Sequence, residues 1–122
     1  MGDRPLVCVV DDDESVRESL PDLIREFGFQ VRAYSSAEDF LASGCTAHAH
    51  CLVLDMCMPG MSGLDLQREL ARRDEDIPIV FITAHKDAAV RPRFSERGPV
   101  QCLLKPFSDT ALLKALRGAL AS

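Results

Sequence analysis

Acidic side chains follow two apolar segments of the chain at the points where those segments end. Residues 11–14 read Asp-Asp-Asp-Glu after the apolar residues 6–10, and Asp55 follows the apolar residues 51–54. Clustered carboxylates repel one another, so ionising all of them is costly unless a cation is bound. Because carboxylate oxygens suit a hard divalent ion, the pattern predicts a Mg²⁺ site. The alternative is a solvated acidic turn in which Asp13 and Glu14 complement the dipole of a following helix.

Two more apolar segments end in side chains that suit an anionic ligand. Thr83 and the small Ala84 follow residues 79–82, and Lys105 follows residues 100–104. A hydroxyl and an ammonium group that face three carboxylates and Mg²⁺ would hold a phosphoryl group. We therefore expect a single phosphoryl site built from four strand ends.

The spacing of apolar residues predicts the elements that would bring these ends together. Continuous apolar runs at 6–10, 51–54, 79–82 and 100–104, with a weaker run at 29–34, are typical of strands buried on both faces of a parallel sheet. Helical periodicity separates them, as in Val16, Leu20, Leu23, Ile24 and Phe27. The alternation predicts an α/β chain of five βα units that forms an open, doubly wound parallel sheet, with its site at the carboxyl ends of the strands.

Several residues predict where the helices begin, end or bend. Ser36 and Ser62 are suitable N-caps, and Gly28 suits the position just after the first helix. Pro21 falls inside the first helix and predicts a kink there. Pro92 predicts a short or distorted fourth helix, between the fourth and fifth strands.

Composition restricts the class of protein. The chain has 122 residues, a net charge of −5 and 47% hydrophobic residues, which fits one domain with its own core. No apolar stretch approaches the roughly 20 residues of a membrane span, and the N-terminus lacks a signal-peptide pattern. An acidic chain without tryptophan is not typical of a free-standing nucleic-acid binder. The odd number of cysteines, five, argues against a disulfide scaffold and favours a reducing, cytoplasmic location.

Four stretches of the sequence resemble one family along essentially the whole chain. VVDDDESVRESL, LVLDMCMPGMSGLDL, IVFITAHKD and LLKPFSDTALLKAL are similar, in order and spacing, to the motifs of response-regulator receiver domains with the CheY-like fold. The resemblance implies a flavodoxin-like strand order of 2-1-3-4-5 and one receiver domain over residues 1–122. ITAHKD, KPFSDT and MPGMSGLDL are most similar to the FixJ-type branch, whose members usually carry a C-terminal helix-turn-helix output domain that this chain would lack.

The resemblance implies a role for each residue of the acidic cluster. Asp55 would be the phosphoacceptor, receiving a phosphoryl group from the phosphohistidine of a sensor histidine kinase. Asp12, Asp55 and the backbone carbonyl of Cys57 would bind Mg²⁺ directly, with Asp11 acting mostly through water. Such a domain phosphorylates and dephosphorylates itself, switches a downstream output such as transcription, and is not a turnover enzyme.

The resemblance also implies roles for residues around the phosphoryl group. Thr83, Ala84 and Lys105 would contact it, and Cys57 and His85 would tune the lifetime of the aspartyl phosphate. This chain departs from the family at Cys102, three residues before Lys105, where an aromatic switch residue is usual.

Pro92 and Pro99 also depart from the family, near the face of fourth helix, fifth strand and fifth helix through which members form homodimers. We therefore expect intact acceptor chemistry with an altered readout surface. A protein-interaction module that works without phosphorylation is the alternative.

Two further patterns have competing interpretations. Asp11-x-Asp13-x-Ser15 is similar to the start of haloacid-dehalogenase-type phosphatases, with Asp11 as nucleophile, although 122 residues leave little room for that fold. Residues 45–51 carry Cys45, His48, His50 and Cys51 and superficially resemble a zinc site, but a loop before a strand is the favoured interpretation.

Cys8 and Cys102 are predicted to be small core residues. A basic set on the last two helices is either a solvated surface or a partner face: Arg91, Arg93, Arg97, Lys114 and Arg117.

Overall fold

Five short strands form one parallel sheet. The structure is a computed structural model that describes residues 4–56, 58–83, 101–105 and 107–120. The strands are β1 Leu6–Val10, β2 Gln30–Tyr34, β3 Cys51–Asp55, β4 Ile79–Thr83 and β5 Gln101–Leu104. They pair in the order β2-β1-β3-β4-β5. The predicted five-stranded, doubly wound sheet and its strand order are confirmed.

Among the described residues, helices follow β1, β2, β3 and β5 at the positions that the periodicity predicts. They are α1 Glu14–Glu26, α2 Ala37–Ala42, α3 Gly63–Arg72 and α4 Asp109–Leu120, with a 3-10 turn at Cys45–Ala47. Ser36 caps α2 by accepting a hydrogen bond from the Asp39 amide, and Ser62 caps α3 through Asp65. Gly28 has a φ of 98° and follows the C-cap residue Phe27 of α1, which confirms its predicted position just after the helix. The helix α1 runs on through Pro21, so the proline does not end it.

Helices cover both faces of the sheet and create two apolar cores. Because side chains alternate along a strand, Val7 and Val9 of β1 face α1 and α4, where they pack with Ile24 and Leu116. The intervening residues of β1 and its neighbours face α2 and α3, and this second core contains Cys8, Val10, Phe40, Leu66 and Phe81. The central strands β1, β3 and β4 are therefore buried on both sides, as the continuous apolar runs predict, while the edge strands β2 and β5 are partly exposed.

The predicted burial of Cys102 is wrong. Its neighbour Leu103 packs against the core under α1 and α4, so Cys102 and Leu104 point to the opposite face of β5. Both of these side chains are exposed there, Leu104 to 43%. Cys8, in contrast, is buried as predicted, and Cys51 of β3 is buried as well.

Some sequence predictions fall outside the described residues. They concern Cys57, Ala84, His85, Pro92, Pro99 and the arginines at 91, 93 and 97. Among the described helices, none is long and apolar enough to cross a bilayer.

Candidate functional site

Three carboxylates meet at the carboxyl end of the sheet. One oxygen from each of Asp11, Asp12 and Asp55 lies within 4.8 Å of the others. Asp11 is fully buried, Asp55 is 7% exposed, and Asp12 is exposed on the turn after β1. The sequence predicts this grouping, because parallel strands bring their carboxyl ends to the same edge.

Backbone pairing places the two buried carboxylates. The Asp11 amide donates to the Tyr34 carbonyl over 3.1 Å, which extends the pairing of β1 and β2 by one residue. Asp55 is the last residue of β3 and pairs with Ile82 of β4. The next amide, that of Met56, donates to the Ile82 carbonyl over 2.9 Å. Ordered strand ends on both sides of the site therefore hold these carboxylates in place.

The turn after Asp11 leads into α1. The Asp13 amide donates to Asp11 Oδ1 over 2.9 Å, and Asp13 Oδ1 accepts from the Ser15 amide over 2.9 Å. Asp13 is thus the N-cap of α1, with Glu14 in its first turn. The acidic run is divided between two tasks, since Asp11 and Asp12 line the site while Asp13 and Glu14 stabilise the helix end.

Lys105 supplies positive charge next to this cluster. Its Nζ lies 3.3 Å from Asp11 Oδ2, and its side chain is 27% exposed. The Lys105 amide donates to the Thr83 carbonyl over 2.8 Å, so the ends of β4 and β5 are tied together. Thr83 itself is buried at the end of β4, one residue beyond the partner of Asp55. The fourth and fifth strand ends therefore adjoin the carboxylates, as predicted.

The donor set fits a hard divalent cation. All three aspartate side chains offer oxygen ligands. Their three carboxylates outnumber the ammonium group of Lys105, so the cluster carries a surplus of negative charge. A divalent ion would offset that surplus and reduce the repulsion between the carboxylates.

Two residues near the site are not indicated by the sequence reasoning. Arg17 of α1 donates from Nη1 to the Asp11 carbonyl over 3.0 Å. Gly63 begins α3, and a Cβ placed on it would lie 2.5 Å from the Asp55 carbonyl oxygen and 2.9 Å from Met56 Cα. The sequence indicates Gly63 only by its position directly after the Ser62 cap. It does not indicate Arg17, because the hydrogen bond between Arg17 and Asp11 forms only once the chain has folded.

The structure does not assemble the zinc-like set. Among the described residues, Cys45, His48, His50 and Cys51 do not bring three ligand atoms together as the aspartates do. His50 Nδ1 instead accepts a hydrogen bond from the Leu6 amide over 3.0 Å, and Cys45 Sγ accepts one from Tyr34 Oη. The interpretation of this stretch as a loop before β3 is favoured.

Comparison with known proteins identifies the family. Residues 7–117 match the family described as the response regulator receiver domain, and this chain belongs to it. The receiver family consists of regulators and is generally not one of turnover enzymes. This membership argues against the phosphatase alternative with Asp11 as nucleophile.

FixJ proteins are among the similar proteins, in agreement with the predicted FixJ-type branch. The chain is 47% identical over 116 residues to Nodulation protein W of Bradyrhizobium diazoefficiens, covering 95% of this chain and 51% of the relative. It is similar to the structure of the response regulator StyR, with a TM-score of 0.87, 47% identity and coverage of 97% and 60% of the two chains. The FixJ-N crystal structure matches with a TM-score of 0.79 and 36% identity, over 99% of this chain and 96% of that one. The chain spans about half the length of the curated relatives it matches.

Proposed function

We propose that this chain is a phosphorylatable receiver domain in which Asp55 accepts a phosphoryl group from a sensor histidine kinase. The observation that carries the proposal is the placement of Asp55. Its carboxylate lies at a strand end within 4.8 Å of two other carboxylates, and the Asp11 carboxylate lies 3.3 Å from Lys105 Nζ. Family membership supports this assignment.

The surroundings of the three carboxylates favour Asp55 as the acceptor. Asp11 is fully buried, and its two oxygens already contact the Asp13 amide and Lys105 Nζ. Asp12 is exposed on the turn before α1 and has no strand to hold its orientation. Asp55 combines a fixed strand position with 7% exposure, which suits a nucleophile that an incoming phosphohistidine must reach.

In the proposed reaction an Asp55 oxygen attacks the phosphorus of the phosphohistidine. The new P–O bond forms as the P–N bond breaks, and the imidazole leaves with the electron pair of that bond. Lys105 offsets negative charge on the phosphoryl oxygens, while Thr83 donates its hydroxyl to one of them. Water later attacks the aspartyl phosphate and returns the carboxylate. Ala84 would leave space for the phosphoryl group, and Cys57 and His85 would tune this last step.

Asp11, Asp12 and Asp55, with the Cys57 carbonyl, would hold Mg²⁺ as the metal ion. When bound, the ion supplies a positive charge that stabilises the oxygens of the transferring phosphoryl group. The residues of the chain do the positioning, since strands β1 and β3 set the distance between the ligand aspartates.

The test is phosphorylation of the purified chain by acetyl phosphate with Mg²⁺. We expect incorporation in the unmodified chain and none in Asp55→Asn, while Asp13→Asn, which keeps the capping function of the same acidic run, retains it. Labelling that persists in Asp55→Asn and disappears in Asp11→Asn would assign the nucleophile to Asp11 instead.

The partners and output follow from the same proposal. In this proposal the chain acts in the cytoplasm, its cognate sensor histidine kinase is the phosphoryl donor, and the output is transcription through a helix-turn-helix domain outside these 122 residues. A homodimer through β5, α4 and the helix that the sequence predicts before β5 would couple phosphorylation to that output. The basic residues Lys114 and Arg117, both exposed on α4, adjoin this face.

A second candidate function is an interaction module that does not depend on phosphorylation. The observation that favours it is Cys102, which occupies an exposed position on β5 where the family usually has a switching aromatic residue. Saturating acetyl phosphate discriminates the two functions. A change of sedimentation coefficient or partner affinity supports the switch, and unchanged values with full labelling of Asp55 support the module.

A further inference from the structure

Arg17 reaches back from the first turn of α1 to the backbone of the acidic cluster. It is the fourth residue of this helix and is half-buried. Its Nη1 donates to the Asp11 carbonyl over 3.0 Å, six residues earlier in the chain. A cation near the N-terminus of a helix is unfavourable, because that end carries the positive pole of the helix dipole. The helix alone therefore gives no reason for an arginine here, and the contact with Asp11 is what stabilises it.

This hydrogen bond acts on the one part of Asp11 that its other contacts leave untouched. The Asp11 amide donates to the Tyr34 carbonyl over 3.1 Å, Oδ1 accepts from the Asp13 amide over 2.9 Å, and Oδ2 lies 3.3 Å from Lys105 Nζ. Those three contacts hold the strand end and the carboxylate. The contact with Arg17 holds the carbonyl group that leads into the next residue.

The Asp11 carbonyl shares a peptide plane with the amide nitrogen of Asp12. Because a peptide bond is planar, fixing the carbonyl also fixes the nitrogen and the Cα from which the Asp12 side chain projects. Asp12 lies in the turn between β1 and α1, and its exposed carboxylate is one of the three that meet in the acidic cluster. The guanidinium thus acts on the aspartate whose position the sheet does not set.

We propose that Arg17 is a positioning residue for the metal site: its guanidinium holds the Asp11–Asp12 peptide so that the Asp12 carboxylate can join those of Asp11 and Asp55 around Mg²⁺. The proposal rests on the proposed function, which makes Asp12 a metal ligand. Arg17 is not itself a ligand, because a guanidinium offers hydrogen-bond donors and no acceptor atom. It acts through the backbone of the residues that are.

The charge of Arg17 and its positioning role predict opposite effects on Mg²⁺ binding. Arg17 brings a positive charge to the backbone of the acidic cluster. If this charge alone mattered, removing it would make the cluster more negative and tighten the binding of a divalent cation. If Arg17 positions Asp12, removing it frees the peptide to rotate, and binding weakens. The direction of the change therefore decides between the two effects.

The experiment measures Mg²⁺ binding to the unphosphorylated chain by titration calorimetry, with no phosphodonor present. Arg17→Met keeps the aliphatic stem and removes the guanidinium. We expect its dissociation constant for Mg²⁺ to rise about tenfold, the effect of losing one charge-assisted hydrogen bond, and Arg17→Lys to recover most of that loss. Tighter or unchanged binding in Arg17→Met would overturn the proposal.

Arg25→Met is the matched control. It removes an equal charge from the exposed last turn of the same helix, where Arg25 pairs with Asp22 and not with the acidic cluster. We expect this variant to bind Mg²⁺ as the unmodified chain does. A loss of binding equal to that of Arg17→Met would show a general effect of helix charge and would overturn the positioning role.

A second measurement uses the metal-free chain. Amide hydrogen exchange, followed by NMR with a chelator present, reports on the Asp13 amide, which donates to Asp11 Oδ1 in the turn that Arg17 holds. We expect this amide to exchange about fivefold faster in Arg17→Met, the effect of a weakened hydrogen bond, while the amide of Val53 in β3 keeps its rate. An unchanged rate at Asp13, or an equal acceleration at both amides, would overturn the proposal.

These measurements separate the role of Arg17 from the proposed function. Mg²⁺ binding that weakens in Arg17→Met, in a chain whose Asp55 acetyl phosphate never labels, would support the role of Arg17 while removing the proposed function. An unmodified chain that binds no Mg²⁺ would overturn the metal site and this role with it. Labelling of Asp55 in a chain whose Mg²⁺ affinity does not depend on Arg17 would remove the role of Arg17 alone.

Discussion

Asp11 is the fully buried acidic residue of the site, and two contacts take the place of the water that burial removes from its carboxyl group. A carboxylate removed from water is costly unless charged or polar groups replace its hydration. The Asp13 amide contacts one oxygen of Asp11 at 2.9 Å, and Lys105 Nζ contacts the other at 3.3 Å. Lys105 therefore has two roles, since it stabilises Asp11 in the resting protein and adds positive charge where a phosphoryl group would arrive.

Replacing Lys105 by methionine should weaken both roles. Losing one partner of a fully buried ion pair costs about 3–5 kcal/mol, but Lys105 is 27% exposed, so we expect about 1–2 kcal/mol of lost stability. Phosphorylation of Asp55 by acetyl phosphate should slow by about tenfold or more. Urea unfolding and phosphate incorporation measure the two effects. Lys114→Met on the exposed face of α4 is the control, and equal behaviour of the two variants would contradict the role of Lys105.

Glu69 provides a pH-dependent interaction far from the site. Hydrogen bonds from Arg72 and then Arg73 lower the pKa of Glu69 from 4.5 to about 2. Because its pKa is lowered on folding, the Glu69 carboxylate stabilises the folded state at pH values above 4.5, the pKa of an unperturbed glutamate. This contribution disappears as the pH falls from 4.5 towards 2.

Glu69→Gln should therefore lower the unfolding midpoint at pH 6 by a small amount that vanishes in acid and shrinks at high salt. Urea titrations of both proteins at several pH values test this, with Glu18→Gln on α1 as the exposed control. A difference that grows below pH 4.5 would contradict the assignment.

At the scale of elements, the start of α3 determines how closely the chain can turn back on Asp55. Ser62 and Asp65 form a reciprocal capping box, and the Gly63 amide donates to the Met56 carbonyl over 3.1 Å. This turn brings the first residue of the helix against the backbone of the proposed phosphoacceptor. Glycine is required because any larger residue would meet backbone atoms that cannot rotate away.

Gly63→Ala should lower stability by about 1–3 kcal/mol, since its Cβ would lie 2.5 Å from the Asp55 carbonyl oxygen. The displaced backbone should also slow phosphorylation of Asp55. Gly118→Ala, at an exposed position inside α4, should have the opposite sign and stabilise by about 0.5–1 kcal/mol. Thermal unfolding measures both, and a neutral Gly63→Ala would show that the turn can relax.

At the scale of the whole molecule, the site exists only when the four strands β1, β3, β4 and β5 are paired. Asp11 and Asp55 are 44 residues apart in the chain, and Lys105 is a further 50 beyond. The two cores hold the strands in register by covering both faces of the sheet with helices. A cation that needs all three carboxylates therefore binds the folded chain and has little affinity for the unfolded one.

Mg²⁺ should accordingly stabilise the entire domain. At a free concentration ten times its Kd, the expected gain is about 1.4 kcal/mol, and a chelator should remove it. Asp12→Ala, which deletes an exposed ligand without disturbing the core, should abolish the gain. Thermal unfolding at constant ionic strength separates binding from screening. An equal gain in Asp12→Ala would place the ion elsewhere.

Local patterns in the sequence determined the elements and the strand ends that carry Asp11, Asp55, Thr83 and Lys105. Strand runs, the caps at Ser36 and Ser62 and the end of α1 at Gly28 depend on neighbouring residues, so they can be derived without coordinates. The family motifs supplied the strand order, which the structure confirms.

Tertiary structure decided what depends on contacts between distant segments. The contact of Gly63 with Asp55 and the hydrogen bond from Arg17 to Asp11 each join different elements. Cys102 is exposed because it lies on the uncovered face of the edge strand β5. The hydrophobicity of the sequence does not indicate which face of an edge strand is covered. The sequence by itself therefore determined the fold and the chemistry of the candidate site. Only packing decided which backbone holds that site and which face of β5 is exposed, because such contacts arise when helices close on the sheet.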